Sequence, residues 1–91
     1  MLAAPTWHLY ILRCRDGTYY TGITNDLEQR LHDHNHGQGC RYTKYRWPVR
    51  LVYPETLPDR SSAMKREAQI QGWSRQKKER LAQSRGASPR R

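Results

Sequence analysis

Two short stretches near the start of the chain alternate between apolar and polar side chains, which is the pattern of half-buried β-strands. The first runs from Trp7 to Cys14, and the second runs from about Thr18 to Thr24. The tripeptide Arg15-Asp16-Gly17 separates them, and an aspartate before a glycine favours a tight turn. The pattern therefore predicts an antiparallel β-hairpin.

The length of this turn decides which side chains share a face of the sheet. A two-residue turn at Asp16-Gly17 would place Tyr10 and Tyr20 on opposite faces. A three-residue turn, with Gly17 in the left-handed region, pairs Tyr10 with Gly22 and brings Tyr10 and Tyr20 to one face. We favour the three-residue turn because it collects apolar side chains on the other face. That predicted core face comprises Trp7, Leu9, Ile11, Tyr19, Thr21 and Ile23.

A first helix should follow the hairpin. Asn25, with Glu28 three residues later, predicts a capping box and a helix over about residues 26–36. Arg30 and His34 are one helical turn apart and would point the same way. An arginine beside an apolar stripe is also common as a snorkelling side chain. The stripe comprises Leu27, Leu31 and His34.

The remaining elements are marked by turn and capping residues. The stretch VRLVYPE predicts a third strand that ends near Pro54. Asp59 or Ser61 would begin a second helix that ends near residue 71, before a glycine. Ser74 would cap a third helix that ends near residue 83.

This order of elements predicts an α+β fold, in which a small three-stranded antiparallel sheet is flanked by two to three helices. A chain of 91 residues has room for one such domain. We expect the domain to cover residues 7–83, after an N-terminal lead at 1–6. Residues 84–91 are too polar and charged to fold alone and would form a basic disordered tail.

Net charge indicates a polyanionic partner. The chain has 17 lysines and arginines against 8 acidic residues, a formal net charge of +9. Much of the excess lies in residues 74–91, so a solvated basic tail is an alternative explanation of the charge. A loop near residues 40–50 mixes cations with aromatic rings, which suits phosphates and bases together. Its candidate nucleic-acid-binding residues are Arg41, Tyr42, Lys44, Tyr45 and Arg46.

The two cysteines, Cys14 and Cys40, are not in a metal-binding spacing. They fit reduced thiols in a cytoplasmic protein, and a monomer is expected. The N-terminal segment has neither the basic start of a signal peptide nor an apolar run long enough to span a membrane.

The second predicted helix carries an acid at an unusual place. Ala63, Met64, Glu67 and Ile70 share one face of it, so a carboxylate would lie in a buried stripe. Burial of a charge is costly, so such an acid needs either a salt bridge or a metal ion. A second metal hypothesis, a weaker one, pairs His32 with His36 on the first helix.

These residues resemble a known family when they are taken together. HLY at 8–10, YTG at 20–22, Arg30, His34 and Glu67 stand in the order and approximate spacing of the GIY-YIG nucleases. The resemblance spans about residues 7 to 82 and is to the small stand-alone bacterial members. It supports the strand-strand-helix-strand-helix order.

The resemblance also implies a site and a cofactor. Glu67 matches the metal-binding glutamate, which implies one Mg²⁺ or Mn²⁺ ion. His8 replaces the glycine of the first motif, and Thr24 stands where some members have a lysine. The downstream asparagine of many members has no clear counterpart. The catalytic residues implied by the match are Tyr10, Tyr20, Arg30, His34 and Glu67.

These residue types also suit phosphodiester hydrolysis on chemical grounds. The reaction needs an activated water, neutralised phosphoryl oxygens and a stabilised leaving group. Tyr10 could serve as base if a nearby cation or hydrogen-bond acceptor assists it, and Arg30 and His34 can supply these. Arg30 also suits bidentate contact with phosphate, and Glu67 suits Mg²⁺. Together with the resemblance to the GIY-YIG nucleases, this chemistry implies a metal-dependent endonuclease; the resemblance also implies DNA as the expected substrate and repair or recombination as its setting. The alternatives are a non-catalytic nucleic-acid-binding module and a degenerate nuclease fold that binds protein.

Overall fold

The computed structural model describes residues 6–86, so the predictions for residues 1–5 and 87–91 lie outside it. Three strands form one antiparallel sheet in the order β2-β1-β3, and three helices pack around it. The predicted α+β class is confirmed. The elements are β1 Trp7–Arg13, β2 Tyr19–Thr24, α1 Leu27–Asn35, β3 Arg50–Leu57, α2 Arg60–Gln71 and α3 Arg75–Gly86.

The hairpin of β1 and β2 has the predicted register, with Tyr10 opposite Gly22. The backbone N–H of Cys14 donates to the carbonyl of Thr18 at 2.8 Å and closes a three-residue turn. Gly17 lies within this turn at φ 87°, where a side chain would be strained. The three-residue turn is therefore confirmed, and Tyr10 and Tyr20 lie on one face.

The central strand β1 is buried on both faces, which explains why four consecutive residues, 9–12, are almost inaccessible. On one face, Leu9 and Ile11 pack with Ile70 of α2. Complete burial of one such side chain contributes about 1.5–3 kcal/mol. Tyr19, predicted to be core, packs at the margin of this cluster and is half-buried. On the other face, Tyr10 and Leu12 pack beneath α1 and the loop that follows it.

The start of α1 corrects the predicted capping box. Asp26, not Asn25, is the N-cap, and its carboxylate accepts the backbone N–H of Gln29 at 3.1 Å. The hydroxyl of Thr24 accepts the backbone N–H of Asp26 at 3.0 Å and fixes the entry into the helix. Both Asn25 and Asp26 are good caps, so the sequence did not distinguish them.

Strand β3 continues past Pro54 to Leu57, whereas the prediction ended it at the proline. Proline lacks an N–H and is tolerated here because β3 is an edge strand with β1 on one side only. The added residues pair with the start of β1, where Trp7 lies opposite Leu57. The sheet is thus longer at this end than predicted.

Helices α2 and α3 differ from the predictions at single positions. Asp59 is the N-cap of α2, and its carboxylate accepts the backbone N–H of Ser62 at 2.8 Å. Met64, predicted to be in a buried stripe, is 46% exposed because α2 turns only Ala63 and Ile70 fully into the core. Helix α3 continues to Gly86, three residues beyond its predicted end near residue 83.

Two observations bear on the predicted environment of the chain. Within residues 6–86, no helix combines the length and the apolar character needed to cross a membrane. Cys14 and Cys40 are both free thiols.

Candidate active site

A buried histidine links the hairpin to the loop after α1. His34, near the end of α1, has no exposed surface. Its Nε2 lies 3.0 Å from the Tyr10 hydroxyl, and its Nδ1 lies 2.6 Å from the Thr43 hydroxyl. Gly39 lies against the ring so closely that an added Cβ would overlap it. Both ring nitrogens are therefore occupied, and the ring is fixed in position.

The protonation of His34 follows from this environment. Burial, with a smaller contribution from the positive charge of Arg30, lowers the pKa of His34 to about 4, so the ring is neutral near pH 7. The Thr43 hydroxyl lies 3.4 Å from the Cys40 carbonyl, to which it can donate. It then accepts the Nδ1–H of His34, which leaves Nε2 as acceptor for the Tyr10 hydroxyl. This tautomer is assigned because it satisfies every donor in the chain of contacts.

Tyr20 lies beside Tyr10, as the hairpin register requires. Their ring centroids are 6.3 Å apart, and Tyr20 stacks on Tyr42 from the following loop at 5.7 Å. The guanidinium of Arg46 lies 4.1 Å above the Tyr42 ring. Burial, followed by a hydrogen bond with Cys40, raises the pKa of Tyr20, which is thus a neutral phenol.

Arg30 is half-buried on the Tyr10 side of α1. Burial raises the pKa of the Tyr10 phenol, whereas hydrogen bonding and positive charge from Arg30 oppose that rise. No carboxylate among residues 6–86 lies within ion-pair distance of Arg30. The guanidinium is therefore available to a negatively charged ligand.

Glu67 reaches the same region from α2. Its carboxylate accepts a hydrogen bond at 3.3 Å from Gln71, whose amide also donates to the Thr21 carbonyl. Burial raises the pKa of Glu67, and its negative charge is among the smaller causes that raise the pKa of Tyr10 and of Tyr20. Across the described range, 6–86, Glu67 forms no ion pair. Glu67, predicted to lie in a buried stripe, is half-buried, and no basic residue of the described structure forms the salt bridge that was one explanation for it.

Of the five predicted catalytic residues, three are in direct contact, namely Tyr10, Tyr20 and His34, whereas Arg30 and Glu67 influence Tyr10 by their charges. Tyr10 bonds His34 and stands next to Tyr20. Arg30 opposes the rise in the pKa of Tyr10, and the negative charge of Glu67 contributes to the rise in the pKa of both tyrosines. Sequence reasoning missed Thr43 and Gly39. Neither residue lies in a helix or strand. No periodic pattern therefore indicated that Thr43 is buried or that Gly39 packs on the His34 ring.

The predicted nucleic-acid-binding residues divide into two groups. Arg41, Lys44 and Tyr45 are exposed. Tyr42 and Arg46 are half-buried instead, and Arg46 donates to Asp16 at 3.1 Å and to the Tyr42 carbonyl at 2.7 Å. These two contribute to the structure of the loop, and the exposed group remains open to a ligand.

The second metal hypothesis has less support. The rings of His32 and His36 stack at 4.0 Å, and His36 Nδ1 bonds the His32 carbonyl at 2.7 Å. Over residues 6–86, no group of three or more histidine, cysteine or acidic side chains could hold a metal ion.

Comparison with known proteins agrees with this geometry. The GIY-YIG catalytic domain model matches residues 6–80. A UPF0213 protein of Staphylococcus saprophyticus is 51% identical over 74 residues, 81% of this chain and 90% of that protein. A UPF0213 protein of Staphylococcus aureus is 49% identical over 77 residues, 85% of this chain and 94% of that protein.

Two solution NMR structures have the same fold. That of a UPF0213 protein from Bacillus halodurans has a TM-score of 0.59 and 40% identity, and covers 91% of this chain and 88% of that chain. That of a protein from E. faecalis has a TM-score of 0.62 and 32% identity, with 100% of this chain and 97% of that chain covered. By sequence, by fold and by the residues that meet around Tyr10, the chain belongs to the GIY-YIG catalytic domain family, among the small UPF0213 proteins.

Proposed function

We propose that this protein is a metal-dependent endonuclease that hydrolyses phosphodiester bonds in nucleic acid, with DNA as the expected substrate. One observation carries the proposal: the Tyr10 hydroxyl lies 3.0 Å from a neutral His34 and is influenced by both Arg30 and Glu67. A binding module would gain nothing from an acid that faces phosphates. An enzyme that needs a metal ion requires one.

Tyr10 and His34 would activate the water. The phenol donates its proton to Nε2 while its oxygen accepts a proton from the attacking water, so the proton moves from water to His34. The pKa of about 4 in the substrate-free protein opposes this transfer. Negative charge that develops on the phosphate favours the protonated ring and raises that pKa.

Arg30 would bind the phosphate and open the site. Tyr10 is 1% exposed, so water reaches its hydroxyl only after a neighbour moves. Arg30 has no acidic partner within residues 6–86, and its long side chain can leave Tyr10 for a bidentate contact with the phosphate. Tyr20, next to Tyr10, would then border the attacking water.

Glu67 would hold the metal ion. A single half-buried carboxylate without a basic partner among the described residues fits Mg²⁺, which binds one or two carboxylates and retains several waters. Mn²⁺ accepts the same oxygen ligands. When bound, the cation would neutralise phosphoryl oxygens and assist the leaving oxygen.

The free thiols of Cys14 and Cys40 support a cytoplasmic location, which we propose together with a monomeric state and a role in repair or recombination.

The proposal is tested by incubating the purified protein with Mg²⁺ and labelled single strands, duplexes, flaps and branched junctions, and by measuring cleavage of each. Tyr10→Phe removes the hydroxyl between water and His34, and we expect cleavage to fall at least about 100-fold. Tyr53→Phe is the matched control, since that hydroxyl bonds Glu55 at 2.8 Å on the opposite face of the sheet. Equal activity of the two variants, or no cleavage of any substrate by the wild type, would refute the proposal.

A further inference from the structure

A recess of about 250 Å³ lies on the surface beside the hairpin turn, and no step proposed above uses it. Its walls are formed by Arg15, Tyr45, Trp47 and Pro48. Tyr45 is 78% exposed and Trp47 is 46% exposed. Large rings gathered at one exposed place are typical of an interaction surface.

Contacts behind the recess hold it in shape. The backbone N–H of Arg15 donates to the Arg46 carbonyl at 3.0 Å, and the Arg46 guanidinium pairs with Asp16 at 3.1 Å. The indole nitrogen of Trp47 lies against Gly37, where an added Cβ would be 3.5 Å away. The Trp47 side of the recess is therefore positioned before any ligand arrives, which lowers the entropic cost of binding.

The charges around the recess favour an anionic ligand that also has a flat face. The ammonium of Lys44 lies 5.5 Å from the centre of the Tyr45 ring, and Arg15 in the wall of the recess is exposed. Asp16, the residue after Arg15 in the turn, is paired with Arg46. Aromatic faces among cations bind unpaired nucleobases, since the rings stack on the base while the cations meet the flanking phosphates.

A series of contacts connects the recess with the candidate active site. Tyr42 stacks on Tyr20 beside Tyr10, and Arg46 covers Tyr42. The carbonyl of Arg46 then bonds Arg15 in the wall of the recess. The recess therefore belongs to the same loop that packs on Tyr20, and a strand bound at both places would follow this loop.

We propose that the recess stacks an unpaired nucleobase, so that the preferred substrate has a single-stranded segment near the cleavage point. In a duplex, bases are stacked on each other and offer no free face. The inference concerns the substrate class and rests on the proposed nuclease function. Base stacking itself requires no cleavage and can be tested separately.

Paired variants distinguish stacking from apolar contact. Tyr45→Leu removes the ring but keeps an apolar side chain, whereas Tyr45→Phe keeps the ring; Trp47→Leu and Trp47→Phe form a second pair. Anisotropy in EDTA measures binding of labelled strands of about 12 nucleotides: oligothymidine, oligouridine, an abasic strand and a duplex. We expect each Leu variant to weaken binding of the thymidine or uridine strand about tenfold, and each Phe variant to change it less than about twofold. Weaker binding of only the thymidine strand would identify DNA as the ligand, and weaker binding of only the uridine strand would identify RNA.

Binding of the abasic strand and the duplex should be unchanged in all four variants. Equal weakening for every nucleic acid would mean that the residues contact the backbone, and no weakening for any would mean that the surface serves another partner such as a protein. Either result overturns the inference. Cleavage in Mg²⁺ is measured separately. Base-dependent binding without cleavage would refute only the proposed nuclease function. Cleavage without base-dependent binding would refute only the proposal that the recess stacks a base.

Discussion

Thr43 has a buried hydroxyl that sets the proton arrangement around His34. Thr43→Val replaces this hydroxyl with a methyl group of similar volume and leaves Nδ1 without its partner at 2.6 Å. We expect kcat to fall about tenfold, equivalent to about 1.4 kcal/mol, because Nε2 is no longer held as the acceptor for Tyr10. Thr43→Ser should restore activity, and ¹⁵N chemical shifts of His34 should show the change of tautomer.

Thr21 provides a matched control on the opposite face of the sheet. It is also buried, but its hydroxyl has no hydrogen-bond partner among residues 6–86. Thr21→Val should therefore preserve kcat and leave stability unchanged or higher. Equal losses of activity in the two valine variants would show that Thr43 acts through general packing.

The buried His34 also predicts acid sensitivity. Its pKa falls from 6.5 to about 4 on folding, so the unfolded state binds more protons between these pH values. The stability that depends on neutral His34 is complete above pH 6.5 and decreases as the pH falls through this window, by about 3 kcal/mol in total. Thermal melting should show a falling Tm across this range. A constant Tm would contradict the burial of a neutral ring.

Strand β2 approaches Tyr10 through a glycine. An added Cβ at Gly22 would lie 2.6 Å from the Tyr10 hydroxyl oxygen and 2.7 Å from Cζ, so the tyrosine ring would have to move. We expect Gly22→Ala to reduce cleavage at least about tenfold and to destabilise the fold by about 1–3 kcal/mol through overpacking. Gly72→Ala is the control, because its Cβ would meet only the Gln69 carbonyl, at 3.7 Å. Activity and denaturation should separate the two variants, and a fully active Gly22→Ala would show that Tyr10 needs no fixed position.

The hairpin could be predicted from sequence because its period-2 pattern and its turn constrain each other. Only one turn length put the apolar side chains on one face, and the structure has that register. Boundaries were less certain, since Asn25 and Asp26 are similar caps and Pro54 lies on an edge strand. At each of these boundaries, neighbouring residues favour two positions of the helix or strand end almost equally.

The loop after α1 could not be predicted in the same way. Its composition indicated ligand binding for five residues, but Tyr42 and Arg46 stack on each other and support the loop. Thr43, between them, is buried because the loop folds back over His34. Irregular backbone has no period that separates inward from outward side chains, so only the three-dimensional structure assigns them.

At the scale of the whole molecule, the two faces of the sheet differ in content. The face with Leu9 and Ile11 packs against α2 and α3 as an apolar core. The other face holds Tyr10, His34 and their hydrogen bonds beneath α1. Glu67 belongs to a helix of the first face but influences the tyrosines of the second. A substitution of Glu67 can therefore show whether this residue contributes to the stability of the fold or to the proposed chemistry.

Glu67→Gln keeps the size of the side chain and removes the charge that would hold the metal ion. We expect Mg²⁺-dependent cleavage to fall at least about 100-fold, or about 2.7 kcal/mol of barrier, while nucleic-acid binding persists or tightens. The Tm should be unchanged or higher, since burial disfavours the charge and Glu67 has no ion-pair partner within residues 6–86. Glu55→Gln is the matched control, because Glu55 pairs with Arg66 at 3.0 Å: that variant should cleave normally and melt at a lower temperature. Binding, cleavage and melting are measured on one preparation, and a Glu67→Gln protein that cleaves at the wild-type rate would remove Glu67 from the mechanism.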